Sequence, residues 1–145
     1  MKEKLATVKA YEEFIYTIQQ AFPAIKASTL VLKRQGRTAA ILVGELLFDR
    51  DIRLFVRERL DFAIEKILGY SYEVRQGADK LYWYDSQDHP NDPALAATRP
   101  HHKHIPPDLK HHRIPAPNLS FDQPNLPFLI QEIIDTLLNK VNAVE

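Results

Sequence analysis

Prolines and glycines are distributed very unevenly along this chain of 145 residues, and their distribution constrains the fold more than any other feature of the sequence. All four glycines lie between Gly36 and Gly77, whereas nine of the ten prolines lie between Pro90 and Pro127. Proline cannot donate a backbone hydrogen bond inside a central strand or a helix. The chain therefore has three regions, with regular elements before and after a proline-rich segment.

Amphipathic helices are predicted at both ends of the chain. Over residues 8–22 apolar side chains recur at steps of three and four, and Pro23 ends the pattern. A second helix is predicted over residues 128–144. The apolar residues on one face of this second helix are Leu129, Ile130, Ile133, Ile134, Leu137, Leu138 and Val141.

Two β-hairpins are predicted between these helices. Residues 29–33 and 38–48 are apolar, β-branched segments on either side of a turn-like tetrapeptide. Residues 70–75 and 80–84 alternate in character and flank a second turn that contains Gly77. The second hairpin carries four of the six tyrosines and the only tryptophan.

The segment of residues 51–68 has two interpretations, because its apolar spacing fits a helix whereas alternation over residues 51–60 fits a strand. The pattern as a whole predicts an α+β fold in a single domain, residues 1–145. We expect an antiparallel sheet of about five strands within residues 29–84, with both helices covering one face. Residues 85–127 show no periodicity and are predicted to be a long, irregular segment.

Composition excludes several classes of site. Nineteen Lys and Arg balance nineteen Asp and Glu, so the chain has no overall basic field and any RNA contact must be local. The absence of cysteine excludes disulfides, thiolate metal sites and cysteine nucleophiles. No apolar run is long enough to cross a bilayer, and the amino terminus lacks a signal-peptide pattern. We therefore expect a cytoplasmic protein with no membrane partner.

The six histidines all lie within residues 85–127. Imidazole titrates near neutral pH, so a pair of histidines can take a proton from a ribose hydroxyl and return one to a leaving oxygen. Lys103 is suited to stabilise the charge of a phosphorane, and Asp85 to orient an imidazole. The candidate catalytic residues are Asp85, His89, His101, His102, Lys103 and His104.

Two other interpretations of the histidines stay open at this point: a solvated surface loop and a metal site. No HExxH or other helical ligand spacing is present, so we predict no metal ligand and no cofactor. The aromatic hairpin is either a platform on which bases stack or part of the core, since alternation separates Tyr82 and Tyr84 from Trp83. The candidate substrate-binding residues are Arg57, Tyr72, Tyr84 and Arg113.

Several short blocks occur together in order: Leu-Phe-Val-Arg-Glu at 54–58, Gly-Tyr-Ser-Tyr at 69–72, Tyr-Trp-Tyr-Asp at 82–85, and Pro-His-His-Lys-His at 100–104. With this combination the chain resembles the TumE family, which comprises small toxins of bacterial and archaeal toxin-antitoxin pairs. After the aromatic strand that family has Asp-Asn-x-Pro-His-His, of which only Asp85 and His89 carry over. The resemblance assigns residues 51–60 to a strand, which we adopt.

The resemblance also implies an antitoxin partner of the helix-turn-helix type and an action on RNA or translation. The favoured hypothesis is a toxin that acts as a metal-independent ribonuclease through histidine acid-base catalysis. The alternative is a non-catalytic interaction module, or a degenerate toxin, that binds its partner through the His/Pro-rich segment. A metal-dependent nuclease or phosphodiesterase is the third hypothesis. The sequence is compatible with a homodimer.

Overall fold

The computed structural model describes residues 4–86, 101–109 and 111–139. In this part of the chain eight strands form one antiparallel sheet, which confirms the predicted α+β fold. From β3 to β8 the strands lie in chain order, and both β1 and β2 pair with β3. The strands are β1 (Ala27–Ser28), β2 (Val31–Arg34), β3 (Ala39–Leu47), β4 (Ile52–Asp61), β5 (Lys66–Gln76), β6 (Asp79–Asp85), β7 (His102–His104) and β8 (Arg113–Pro115).

The sheet is larger than the sequence predicts. Both predicted hairpins are confirmed, and the ambiguous segment forms strand β4 rather than a helix. The five strands expected within residues 29–84 are present as β2 to β6, and β1 adds a short strand before them. The expectation that residues 85–127 are irregular throughout was wrong, because β7 and β8 extend the sheet into that segment. Each of these two strands has only three residues, too few for alternation to be recognised, and each depends on hydrogen bonds to a neighbouring strand.

The helices are shorter than predicted. They are α1 (Val8–Tyr16), α2 (Ile18–Ala21) and α3 (Leu126–Ile133), which is followed by a π-helical turn (Ile134–Leu138). The prediction of one helix over residues 8–22 was wrong, because the helix breaks at Thr17, whose hydroxyl donates to the Glu13 carbonyl at 2.6 Å. Helix α3 begins before the predicted start because Pro127 needs no N–H donor in the first turn. Residues 140–144 of the predicted helix lie outside the described residues.

One face of the sheet packs against the helices, as the apolar stripes predict. Alternate residues of β4 are buried, and they share a hydrophobic cluster with Tyr11 and Ile15 of α1 and with Leu129 and Ile133 of α3. We call this the helix face and the opposite side the far face. In the described residues, no helix is long and apolar enough to cross a membrane.

Candidate functional site

The pairing of β6 with β7 places His102 and His104 beside the aromatic strand. Asp85 lies opposite His102, and Trp83 lies opposite His104. Because side chains alternate along a strand, His102 and His104 share the far face with Asp85, whereas Lys103 points to the helix face. The register of β7 therefore divides the predicted catalytic block between two sides of the sheet.

The far-face cluster consists of Asp85, His102 and His104. The Nε2 atom of His102 lies 2.5 Å from Asp85 Oδ1, and the Nε2 atom of His104 lies 3.4 Å from Asp85 Oδ2. Both imidazoles are buried, with 1% and 4% of their surface exposed, whereas the carboxylate is half-buried. The pKa of the His104 imidazole lies below its ordinary value, and burial is the main cause.

Neighbouring groups hold this cluster in place. The Nδ1–H group of His104 donates to the Leu109 carbonyl at 2.8 Å. The Trp83 indole stacks on His104, with ring centroids 4.0 Å apart, and its N–H donates to Asp85 Oδ2 at 3.2 Å. Trp83 therefore orients both an imidazole and the carboxylate, a role that the sequence analysis did not assign to it.

A cavity of about 350 Å³ opens on the far face next to the cluster. The register aligns Arg57 on β4, Ser71 on β5 and Asp85 on β6, so the carboxylate forms one wall. We call this the arginine cavity. Its lining residues are Arg57, Arg59, Gly69, Tyr70, Ser71, Asp85 and Ser86.

The arginines of this cavity differ from the other arginine of β4 on the same face. Arg53 is bound by Glu45 and Asp51, as expected for a surface ion pair. Among the described residues, neither Arg57 nor Arg59 forms a salt bridge, and both are exposed. The sequence predicts only ion pairing for Arg59 and does not place it among the candidate site residues, although its position two residues after Arg57 on a predicted strand puts both side chains on one face.

Gly69 makes room for the Arg59 side chain. A Cβ atom at position 69 would lie 2.9 Å from the Arg59 Nη2 atom and 3.5 Å from the Ser86 hydroxyl. The guanidinium of Arg59 consequently lies directly across strand β5. Any side chain at position 69 would displace it.

Two predicted catalytic residues, His101 and Lys103, lie away from the far-face cluster. His101 stacks on Tyr70, and its Nδ1 atom is hydrogen-bonded to the Tyr70 hydroxyl at 2.5 Å. The ammonium of Lys103 lies 2.9 Å from a carboxylate oxygen of Glu132 on α3 and 4.3 Å from the centre of the Tyr82 ring. His89, the remaining predicted catalytic histidine, lies outside the described residues.

The predicted substrate-binding tyrosines, Tyr72 and Tyr84, are buried under the helices. The Tyr72 hydroxyl donates to Glu58, and the Tyr84 hydroxyl donates to Glu132 at 2.9 Å. Burial raises the pKa of both hydroxyls, so they stay protonated. Tyr72 has 0% and Tyr84 has 2% of its surface exposed, so neither ring offers a face to a base.

Arg113, also predicted to bind substrate, lies opposite His104 on β8. Its Nε and Nη1 atoms are buried and form no hydrogen bond with the described residues.

A model of the family described as Toxin TumE matches residues 15–137. The chain belongs to the TumE toxin family. This confirms the resemblance found in the sequence, and membership of a toxin family implies an antitoxin partner. No curated protein and no solved structure matches the chain. Within this TumE-family chain the far face combines exposed guanidinium groups with a carboxylate and two imidazoles, a set that can hold a phosphate and transfer protons.

Proposed function

We propose that this TumE-family toxin cleaves RNA at the far face of its sheet. One observation carries the proposal: the arginine cavity borders on Asp85, whose carboxylate contacts both His102 and His104. Groups suited to bind phosphate and groups suited to move protons are therefore adjacent.

The substrate side of the proposal rests on Arg57 and Arg59. The chain has no net charge, so an RNA phosphate must be attracted locally. Guanidinium groups bind phosphate through paired, charge-assisted hydrogen bonds. The hydroxyls of Ser71 and Ser86 also line the cavity, where they can donate to phosphate or ribose oxygens.

The chemical side of the proposal rests on the Asp85 cluster. In the proposed reaction a ribose 2′ hydroxyl attacks the neighbouring phosphorus, and the cluster takes up the hydroxyl proton. The bond from phosphorus to the 5′ oxygen of the next nucleotide breaks, and the cluster returns a proton to that leaving oxygen, which gives a 2′,3′-cyclic phosphate and a 5′ hydroxyl. The two cavity arginines stabilise the negative charge that develops on the phosphorane. His101 and Lys103 have no role in this reaction, because both lie on the other side of the sheet.

Cleavage of a labelled single-stranded RNA by the purified chain tests the proposal, with DNA of the same sequence as a second substrate. One set of reactions contains a chelator and another contains added Zn²⁺ or Mn²⁺, so that cleavage is detected whether or not it requires a metal ion. Removing one charge-assisted contact costs about 1.5–3 kcal/mol. We therefore expect Arg57→Gln and Arg59→Gln each to lower kcat/KM about tenfold or more.

Arg53→Gln is the matched control, because Arg53 lies on the same strand and face but is held by Glu45 and Asp51. We expect it to retain the kcat/KM of the unmodified chain. Equal losses in all three variants would contradict the assignment of the cavity. RNA that stays intact under every condition, while the chain still binds its antitoxin, would instead favour a non-catalytic interaction module.

The antitoxin in this proposal is a helix-turn-helix protein, a partner supported by the family resemblance alone. We expect a short gene for a helix-turn-helix protein next to the gene for this chain. Inducing the chain should arrest growth, and co-expression of the helix-turn-helix protein should relieve the arrest. Light scattering on the purified chain tests the homodimer that the sequence allows.

A further inference from the structure

We propose that Asp85, His102 and His104 form a binding site for one divalent transition-metal ion of the Zn²⁺ type. Metal binding itself does not depend on RNA cleavage, whereas a role of the metal in that cleavage rests on the proposed function. This proposal departs from the sequence analysis, which predicted no metal ligand because helical ligand spacings are absent.

The three side chains have the separations that such a site needs. One ligand atom from each residue lies within 4.8 Å of the other two. In a tetrahedral zinc site with bonds of about 2.0–2.1 Å, neighbouring ligand atoms are about 3.4 Å apart. The distance from His104 Nε2 to Asp85 Oδ2 is 3.4 Å, which matches this value. The distance from His102 Nε2 to Asp85 Oδ1 is 2.5 Å, so these two side chains would move slightly apart around an ion.

The hydrogen bond at the other side of the His104 ring independently points to a cation. A carbonyl can only accept, so Nδ1 carries the hydrogen that is donated to Leu109. In the neutral form of this tautomer, the Nε2 lone pair is directed towards the carboxylate of Asp85. This Nε2 atom is buried and forms no hydrogen bond with the described residues. Two electron-rich atoms face each other there, and a metal ion between them converts repulsion into coordination.

The surrounding groups are those expected around metal ligands. His104 donates a hydrogen bond to a backbone carbonyl, and Trp83 donates one to Asp85. Hydrogen bonds of this kind orient the ligand residues in metal sites. Two imidazoles and one carboxylate favour Zn²⁺ and related ions over Mg²⁺ or Ca²⁺, which prefer oxygen ligands. Arg113 opposes His104 on β8, and its positive charge moderates the affinity.

A bound ion would lie next to the arginine cavity, because Asp85 belongs to both sites. Three protein ligands leave a position open for water or a phosphate oxygen, the arrangement of catalytic zinc sites. The metal would then withdraw charge from a phosphate that Arg57 and Arg59 hold.

Titration of the metal-free chain with Zn²⁺ tests the proposal. Trp83 is the only tryptophan and contacts both His104 and Asp85, so its fluorescence reports on the site. Isothermal calorimetry measures stoichiometry, and we expect one ion for each chain and no binding of Mg²⁺. His102→Ala and His104→Ala should each weaken the affinity at least about tenfold, as loss of a ligand or its orienting partner does.

His111→Ala is the matched control, because His111 is exposed and pairs with Asp108 outside the cluster. It should retain full affinity. Thermal melts followed by circular dichroism show whether each variant is folded. Should a cluster variant fail to fold, the absorption spectrum of the Co²⁺-loaded unmodified chain is decisive, since a tetrahedral nitrogen and oxygen site gives intense visible bands.

Absence of Zn²⁺ binding to the unmodified chain, or affinity that survives His104→Ala, would overturn the metal site. The RNA assay separates this proposal from the proposed function. Zn²⁺ binding at the cluster without RNA cleavage would refute only the function, whereas cleavage in a chelator by a chain that binds no Zn²⁺ would refute only the metal site.

Discussion

Tyr72→Phe should lower stability without affecting the far-face site, because the Tyr72 hydroxyl belongs to a buried network under helix α1. Glu58 has none of its surface exposed, and it accepts hydrogen bonds from Tyr11 and Tyr72 at 2.5 Å each. Asn125 donates to the Tyr72 hydroxyl at 3.1 Å. The substitution leaves one oxygen of Glu58 buried without its donor, while the retained ring still stacks on Tyr70.

The expected cost follows from the charge of the acceptor. A hydrogen bond to a charged group contributes about 1.5–3 kcal/mol, and the phenyl ring leaves no cavity, so we expect a loss of about 2 kcal/mol at neutral pH. For a chain of this size that lowers Tm by roughly 4–8 °C. The rate of RNA cleavage for each folded molecule should not change.

The cost should also depend on pH. Burial raises the pKa of Glu58 above its ordinary 4.5, and the tyrosine hydrogen bonds lower it again. A raised folded pKa means that stability is fully present below the unfolded pKa and is lost as pH rises through the folded pKa. Tyr72→Phe raises the folded pKa of Glu58 further, so its destabilising effect should grow from acidic to neutral pH.

Urea unfolding at several pH values measures the cost, in the chain itself and in a Glu58→Gln background, where it should shrink. Tyr82→Phe is the matched control, since the Tyr82 hydroxyl is buried on the same face but forms no hydrogen bond with the described residues. A cost equal to that of Tyr82→Phe, or one independent of pH, would refute the reasoning.

Three further predictions concern other parts of the structure. Gly69→Ala should displace the Arg59 guanidinium and slow RNA cleavage, with little change in Tm, as kinetics and thermal melts on one preparation will show. Lys103→Met should lower the free energy of unfolding in urea by about 1–2 kcal/mol, because it breaks a half-buried ion pair with Glu132. RNA cleavage should not change. A loss of cleavage without a loss of stability would instead indicate a catalytic role for Lys103. Burial lowers the pKa of His101 in the folded chain below its ordinary value. The stability that this histidine contributes is therefore present above its unfolded pKa and is lost as the pH falls through the folded pKa. His101→Gln should reduce this loss of stability at acidic pH, as unfolding curves at several pH values will show.

Local pattern was sufficient for much of the fold. An apolar, β-branched run identified β3, and alternation identified β5 and β6, because each of these strands has at least seven residues. The apolar spacing predicted α1 and α2 as one helix. The hydrogen bond from the Thr17 hydroxyl to a helix carbonyl, where the two helices separate, does not change that spacing.

The sequence by itself determined the fold class, the family and the residue types that the far face offers. Only the tertiary structure decided which of these residues meet. Strand β7 has three residues, so no local period shows that His102 and His104 point away from Lys103. Hydrogen bonds to β6 set that register, and a shift by one residue would place Lys103 on the far face instead. The site therefore depends on pairing between distant segments, which no single stretch of the chain encodes.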